Sequence, residues 1–167
     1  FSKYESFVFI PQVASEERWV TAPWDTKEYE LAPISSSMRM TFQALDRFIK
    51  KNRSIDRNRI YVMGLSMGGW GTWDAISRRP EFFAAAVPIC GSGDPVQASK
   101  LTNLPIWAWH GERDEVISVT GSQKMVRAID DAGGKIRYTE IKGRGHDSWL
   151  DVWNSQELWK WLYEQRR

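Results

Sequence analysis

The stretch Ile60–Gly68, IYVMGLSMG, constrains this chain more than any other. An apolar run leads, with no linker, into Gly-Leu-Ser-Met-Gly and then into Met67–Arg79, a helical segment closed by Pro80. The run is short enough for a strand and bounded by a turn on its far side. Strand, tight turn and helix in immediate succession form a unit whose strand is covered by helix, and units of this kind build parallel sheets.

The alternation recurs along the chain. Ser6–Pro11 (SFVFIP) reads as a short buried strand, followed by a polar, proline-punctuated stretch through Pro33 that holds Trp19 and Trp24. From Ser37, the apolar positions Met38, Phe42, Leu45, Phe48 and Ile49 recur at helical spacing. That helix should stop near Asn52, with Lys50, Lys51 and Arg53 at the end where the dipole favours cations. Ala84–Ile89 reads as a strand despite Pro88, and Pro105–His110 (PIWAWH) as another. Thr120 and Gln123 form a candidate capping box for a helix with Met125, Ala128, Ile129 and Ala132 on one face, ended by Gly133-Gly134. Lys135–Ile141 is the last strand, and Gln156–Gln165 a closing helix with Leu158, Trp161 and Leu162 inward. No repeat or linker interrupts the pattern. The expectation is a single α/β domain over residues 1–167, a mostly parallel sheet with helices on both faces.

Composition excludes several classes. With 42% hydrophobic and 26% charged residues in 167, the chain can bury a core. A net charge of +2 is too small and dispersed to argue for nucleic acid or an anionic membrane. No apolar run approaches the roughly 18 to 20 residues that span a bilayer. A single cysteine, Cys90, leaves no internal disulfide and no cysteine-ligated zinc site, and reads as a small buried filler.

The chemistry centres on Ser66, in the pentapeptide Gly64-Leu65-Ser66-Met67-Gly68. A strand-to-helix turn exposes such a serine at the strand's C-terminal end, and the small flanking residues let the backbone fold that sharply. It also lies at a helix N-terminus, where the dipole and the free N–H of Met67 favour a negative oxygen. A serine needs a base. His146, in the glycine-rich run Gly143–Asp147 after the last strand, is placed for that role; His110, ending a buried strand, reads as structural. The acid that orients the base is Asp114, reached by a short loop from the preceding strand. Glu112 in the same loop, Asp94, and Asp147 beside the base are its rivals. No metal or organic cofactor is required.

The run Asp56–Pro95, DRNRIYVMGLSMGGWGTWDAISRRPEFFAAAVPICGSGDP, resembles the nucleophile region of a bacterial carboxylesterase-like family of α/β-hydrolases. That family is related to feruloyl esterases and polyhydroxyalkanoate depolymerases. Trp107–Val116, Gly133–Ile141 and Gly143–Trp149 match its acid loop, last strand and histidine loop. The resemblance implies an α/β-hydrolase fold, ester cleavage through an acyl-enzyme, Ser66, Asp114 and His146 as a triad, and Met67 N–H as one oxyanion donor. It implies a small-molecule or carbohydrate-linked ester as substrate. Serine peptidases of the prolyl-oligopeptidase type share the triad order and are the alternative, as is a non-catalytic fragment. One departure stands out: the family's second oxyanion donor follows a strand usually marked by His-Gly, and no such segment precedes Phe7. The sheet is therefore expected to lack its N-terminal strands, with a further segment or a second chain filling the gap between Phe7–Pro11 and Ile60–Leu65.

Of the ten tryptophans, Trp70, Trp73, Trp107 and Trp109 read as core. Trp149, three residues after the base, is the best candidate for a substrate wall, followed by Trp19 and Trp24.

Overall fold

The computed structural model describes residues 4–22 and 29–167. Within them four strands, β1 (Tyr61–Leu65), β2 (Ala85–Ile89), β3 (Ile106–Gly111) and β4 (Ile136–Ile141), form a parallel sheet in the order β1-β2-β3-β4. Two helices precede or join them: α1 (Ser36–Lys51) leads into β1, and α2 (Met67–Arg78) carries β1 across to β2. A 3-10 turn at Pro95–Lys100 connects β2 to β3, α3 (Thr120–Asp131) connects β3 to β4, and α4 (Trp149–Asn154) and α5 (Gln156–Glu164) follow.

The period of two along each strand divides the core. Ala86, Ile106 and Ala108 face α1, α2 and α3, where Trp73, Ile76, Met125 and Ile129 are wholly or almost wholly buried. Val87, Ile89, Trp107 and Trp109 face α4 and α5, against Val152, Leu158 and Leu162. Each fully buried aliphatic or aromatic side chain of this kind stabilises the fold by roughly 1.5–3 kcal/mol. Helices on both faces leave the strand ends as the place where polar side chains can gather.

Ser35 caps α1: its hydroxyl accepts from Met38 N–H at 3.0 Å and donates to Trp19 O at 2.7 Å. Lys50 and Lys51 stand in the last turn, as the dipole argument required. Pro88 is tolerated in the interior of the sheet because the β2–β3 ladder breaks around it. The two strands pair at Ala86–Ile106 and again at Ile89–Trp109, on either side of the residue that has no N–H to give.

Two expectations fail. Ser6–Pro11 is not a strand: Phe7, Val8 and Ile10 are 55%, 60% and 73% exposed. The rings of Phe7 and Phe9 lean on Phe48 of α1 instead. An apolar run of that length becomes a buried strand only where another strand offers an edge, and here the aromatic rings found a helix. Among the described residues β1 is an edge, half-exposed at all five positions, whereas β2 and β3 are buried throughout. The capping box does not form either. Thr120 is already helical, so Val119 occupies the cap position without a side-chain bond. Gln123 donates to Glu140 on β4 at 2.7 Å, a tertiary partner that wins over the local one.

Candidate active site

Parallel strands end at one edge, and Ser66, Asp114 and His146 follow β1, β3 and β4 at that edge. Ser66 has φ 52° and ψ −117°, a left-handed backbone that costs a non-glycine residue on the order of 1–3 kcal/mol. Its N–H is held between Ile89 O at 3.0 Å and Cys90 Sγ at 3.3 Å. A Cβ on Gly64 would lie 2.3 Å from Gly68 O, so the turn closes only with glycine there. The second glycine of the pentapeptide has open space at its Cβ position, contrary to the steric role expected of it. Gly69 takes that role, since a Cβ on it would lie 2.2 Å from Ile89 O. Met67 opens α2, and its N–H is one of the first-turn groups that a helix cannot satisfy internally.

The acid and histidine loops pack backbone on backbone. A Cβ on Gly111 would lie 2.1 Å from Gly145 O, and Arg113 N–H donates to Arg144 O at 2.8 Å. This close approach brings Asp114 Oδ2 to 2.8 Å from His146 Nδ1, while His146 Nε2 lies 2.9 Å from Ser66 Oγ. With Nδ1–H given to the carboxylate, Nε2 is the ring atom left to accept the serine proton. The rivals of Asp114 are engaged elsewhere. Glu112 accepts Gly143 N–H at 2.7 Å and braces the histidine loop from outside. Asp94 accepts from Val96 N–H and Leu31 N–H, each at 3.0 Å. Asp147 stands 3.5 Å from Arg144 at the surface.

The Asp114 side chain is fully buried. Burial pushes its pKa up, but hydrogen bonds from His110, His146, Ile117 N–H and Val116 N–H outweigh it and hold the carboxyl down at about 2. His110, the other histidine, is itself fully buried, as a structural histidine should be. Its Nδ1 lies 2.8 Å from Ser122 Oγ and its Nε2 2.9 Å from Ile117 O. The same Nε2 is 3.3 Å from Asp114 Oδ2, a contact that the sequence did not suggest.

Cys90 is more than a filler. It follows β2 at φ 39°, and its sulfur lies against the Ser66 amide. Donor atoms of Cys90, Asp114 and His146 fall within 4.8 Å of one another. They do not suit a metal ion. Burial raises the Cys90 thiol to about 11, and both Asp114 oxygens are already occupied by N–H donors. The one signal for Cys90 in the sequence was its position just past a strand that neighbours β1.

Trp149 opens α4 with its ring edge-on to His146, centroids 5.3 Å apart. Arg144 ties that helix to the histidine loop by two bonds to Asp151, at 2.6 and 3.1 Å. Trp70 and Trp73 are buried, and Trp107 and Trp109 stack with centroids 5.1 Å apart in the core. Trp19 packs onto α2 beside Gly71 rather than standing free at a rim. Trp24 lies outside the described residues.

A parallel sheet between helices, a serine on a strained strand-to-helix turn, and an acid and a histidine following later strands define the α/β-hydrolase fold. The chain belongs to the dienelactone hydrolase family, whose model matches residues 12–147. It is similar to a thermostable esterase of known structure, with 38% identity and a TM-score of 0.82 over 90% of this chain and 41% of that one. A bifunctional acetylxylan esterase/xylanase from Neocallimastix patriciarum is 28% identical over 153 residues, 70% of this chain and 22% of that protein. An uncharacterized secreted protein from Arthroderma benhamiae is 26% identical over 163 residues, 77% of this chain and 17% of that protein. The acylaminoacyl peptidase of Pyrococcus horikoshii, at 16% identity and a TM-score of 0.63 over 69% of this chain and 24% of that one, shares the fold. The chain thus spans between 17% and 41% of the length of these proteins. Among the described residues no helix is long and apolar enough to cross a membrane.

Proposed function

We propose that the chain carries the catalytic machinery of a serine esterase. The observation behind this reading is the continuous line Ser66 Oγ–His146 Nε2 at 2.9 Å and His146 Nδ1–Asp114 Oδ2 at 2.8 Å. Ser66 Oγ attacks the ester carbonyl as His146 Nε2 takes its proton, and the imidazolium is stabilised by the buried Asp114 carboxylate. The tetrahedral oxyanion rests on Met67 N–H at the α2 N-terminus. His146 returns the proton to the leaving alcohol, and water releases the acyl group by the same route.

The substrate is a small-molecule or carbohydrate-linked ester, with Trp149 as one wall of its site. Two observations support this: an acetylxylan esterase/xylanase is among the relatives, and the Trp149 ring stands beside the base. A second oxyanion donor is supplied by a strand that pairs with the open edge of β1, from elsewhere in a longer protein or from a partner. The half-exposed state of β1 supports that reading. The test is labelling by a fluorophosphonate together with hydrolysis of p-nitrophenyl acetate. Both are expected, and both should vanish in Ser66→Ala. Labelling without ester turnover, but with cleavage of peptide amides, would assign a peptidase instead. No labelling at all would mean an inactive module.

A further inference from the structure

We infer that His110 is a positioning residue for the reaction, acting on His146 through the Asp114 carboxylate that the two histidines share. This rests on the Ser66–His146–Asp114 reading. His110 sits on β3 four residues before Asp114, where the strand's alternation turns it toward the first turn of α3. It is fully buried, and its Nε2 faces two oxygens that can only accept: Ile117 O at 2.9 Å and Asp114 Oδ2 at 3.3 Å. Nε2 therefore bears a proton. In the neutral ring Nδ1 then accepts from Ser122 Oγ, 2.8 Å away, whose single hydroxyl hydrogen it shares with Gly91 O at 3.1 Å.

Asp114 thus lies between two serine–histidine pairs, Ser122–His110 on the buried side and Ser66–His146 on the open side. The Oδ1 atom takes Val116 N–H and Ile117 N–H, each at 2.9 Å, which fixes the carboxylate at one oxygen. The Oδ2 atom accepts from His146 Nδ1 at 2.8 Å and has His110 Nε2 beside it at 3.3 Å, the N–H of which it shares with Ile117 O at 2.9 Å. A carboxylate oxygen with the positive end of a second N–H beside it has its negative charge drawn toward both donors and turns less freely about its bond to Cβ. His110 therefore does two things. It holds Oδ2 in line with His146 Nδ1, and it tempers the pull of Asp114 on the His146 proton.

Other ionisable groups near this pair are few. Cys90 faces Asp114 from the end of β2, and burial keeps its thiol protonated. Glu140 on β4 is engaged with Gln123 and Tyr138. Arg144 and Asp147, in the loop that bears His146, pair with each other, and Arg144 also with Asp151. From α2 and α3 the neighbours Met67 and Ser122 carry no charge.

The experiment compares His110→Leu, His110→Gln and the wild type in the full-length protein. Steady-state hydrolysis of p-nitrophenyl acetate is followed across pH, and active sites are counted by fluorophosphonate titration. His110→Leu removes the donor while keeping bulk. It should lower kcat per titrated site about tenfold with KM unchanged. It should also move the acid limb of kcat/KM to higher pH, because an untempered carboxylate holds the His146 proton more tightly. His110→Gln can still present an N–H near the Nε2 position and should return the limb to its wild-type place. A limb that stays put or moves down in His110→Leu, with rate lost only in proportion to titratable sites, would overturn the inference and leave His110 a packing residue. Ser66→Ala in the same assay keeps the two readings apart: turnover surviving there would sink the triad itself, wherever the limb falls.

Discussion

The two histidines of this chain make a controlled comparison. Both lie at or beyond a strand's C-terminal end next to a glycine, both touch a serine hydroxyl within 3 Å, and both contact Asp114 Oδ2. They differ in solvent. The His110 side chain is fully buried, whereas that of His146 is 21% exposed. They also differ in which nitrogen meets the acid, Nε2 in His110 and Nδ1 in His146. His146 thereby aims its other nitrogen outward, at the serine on the strained turn, and His110 aims its own at Ser122, which is itself buried. On the proposed function, the same three residue types form a reactive relay where one end reaches solvent and a clamp where neither does.

The largest expected effect would separate the pairs outright. His146→Ala should lower kcat by a factor of about 10⁶, as loss of a triad base does, while Ser122→Ala should leave ester turnover within about tenfold of the wild type. Comparable losses in both, measured on p-nitrophenyl acetate, would mean that the buried pair also carries protons.

Asp114→Asn should cost on the order of 10⁴ in kcat with the fold retained, because the amide leaves His146 in the wrong tautomer. Glu112→Gln should stay within about threefold, since Glu112 only braces Gly143 from the exposed side. Activity lost in the glutamine variant and kept in the asparagine variant would reassign the acid.

Stability should run the opposite way from activity. His110→Leu strands Ile117 O in the interior, at about 1–3 kcal/mol for an unsatisfied buried group, while Ser122 Oγ keeps Gly91 O and Asp114 keeps His146. His146→Leu, at the open side, should cost less than about 1 kcal/mol in the same denaturant titration. Equal losses would show that burial does not distinguish the two sites.

The smallest effect concerns acid. The folded carboxyl of Asp114 is held at about 2, below the ordinary aspartate value of about 3.9. A depressed carboxyl contributes stability that is fully present above the unfolded value and is lost as pH falls through the folded one. Between pH of about 4 and about 2, the wild type should therefore lose unfolding free energy more steeply than Asp114→Asn. Parallel curves would mean that the hydrogen bonds seen at Asp114 do not favour its charged form.

The elements that sequence reading located are those whose signal is local. β1 and α2 follow from an apolar run, a glycine-serine turn and a helical segment ended by proline, and the C-terminal ends of α1 and α3 follow from the residues flanking them. Ser66, Asp114 and His146 were legible because each follows a strand of a parallel sheet, and such strands finish at one edge. Three things were not. Ser6–Pro11 has a strand's composition, but pairing needs a neighbour that composition does not name. Thr120 and Gln123 have a capping box's spacing, but Glu140 competes for the glutamine from β4. The short helix α4, which sets Trp149 against His146, is six residues long and depends on the Arg144–Asp151 bonds more than on any periodicity.

The amino-acid sequence by itself determined the α/β alternation, the serine turn and the placing of Ser66, Asp114 and His146 just after strands, because each depends on neighbours a few residues away. Tertiary structure alone decided that Asp114 also meets His110, and that Cys90 borders the site. Those contacts join the end of one strand to loops from others, and their geometry comes from the spacing of the sheet and the absence of a Cβ at Gly64, Gly69 and Gly111.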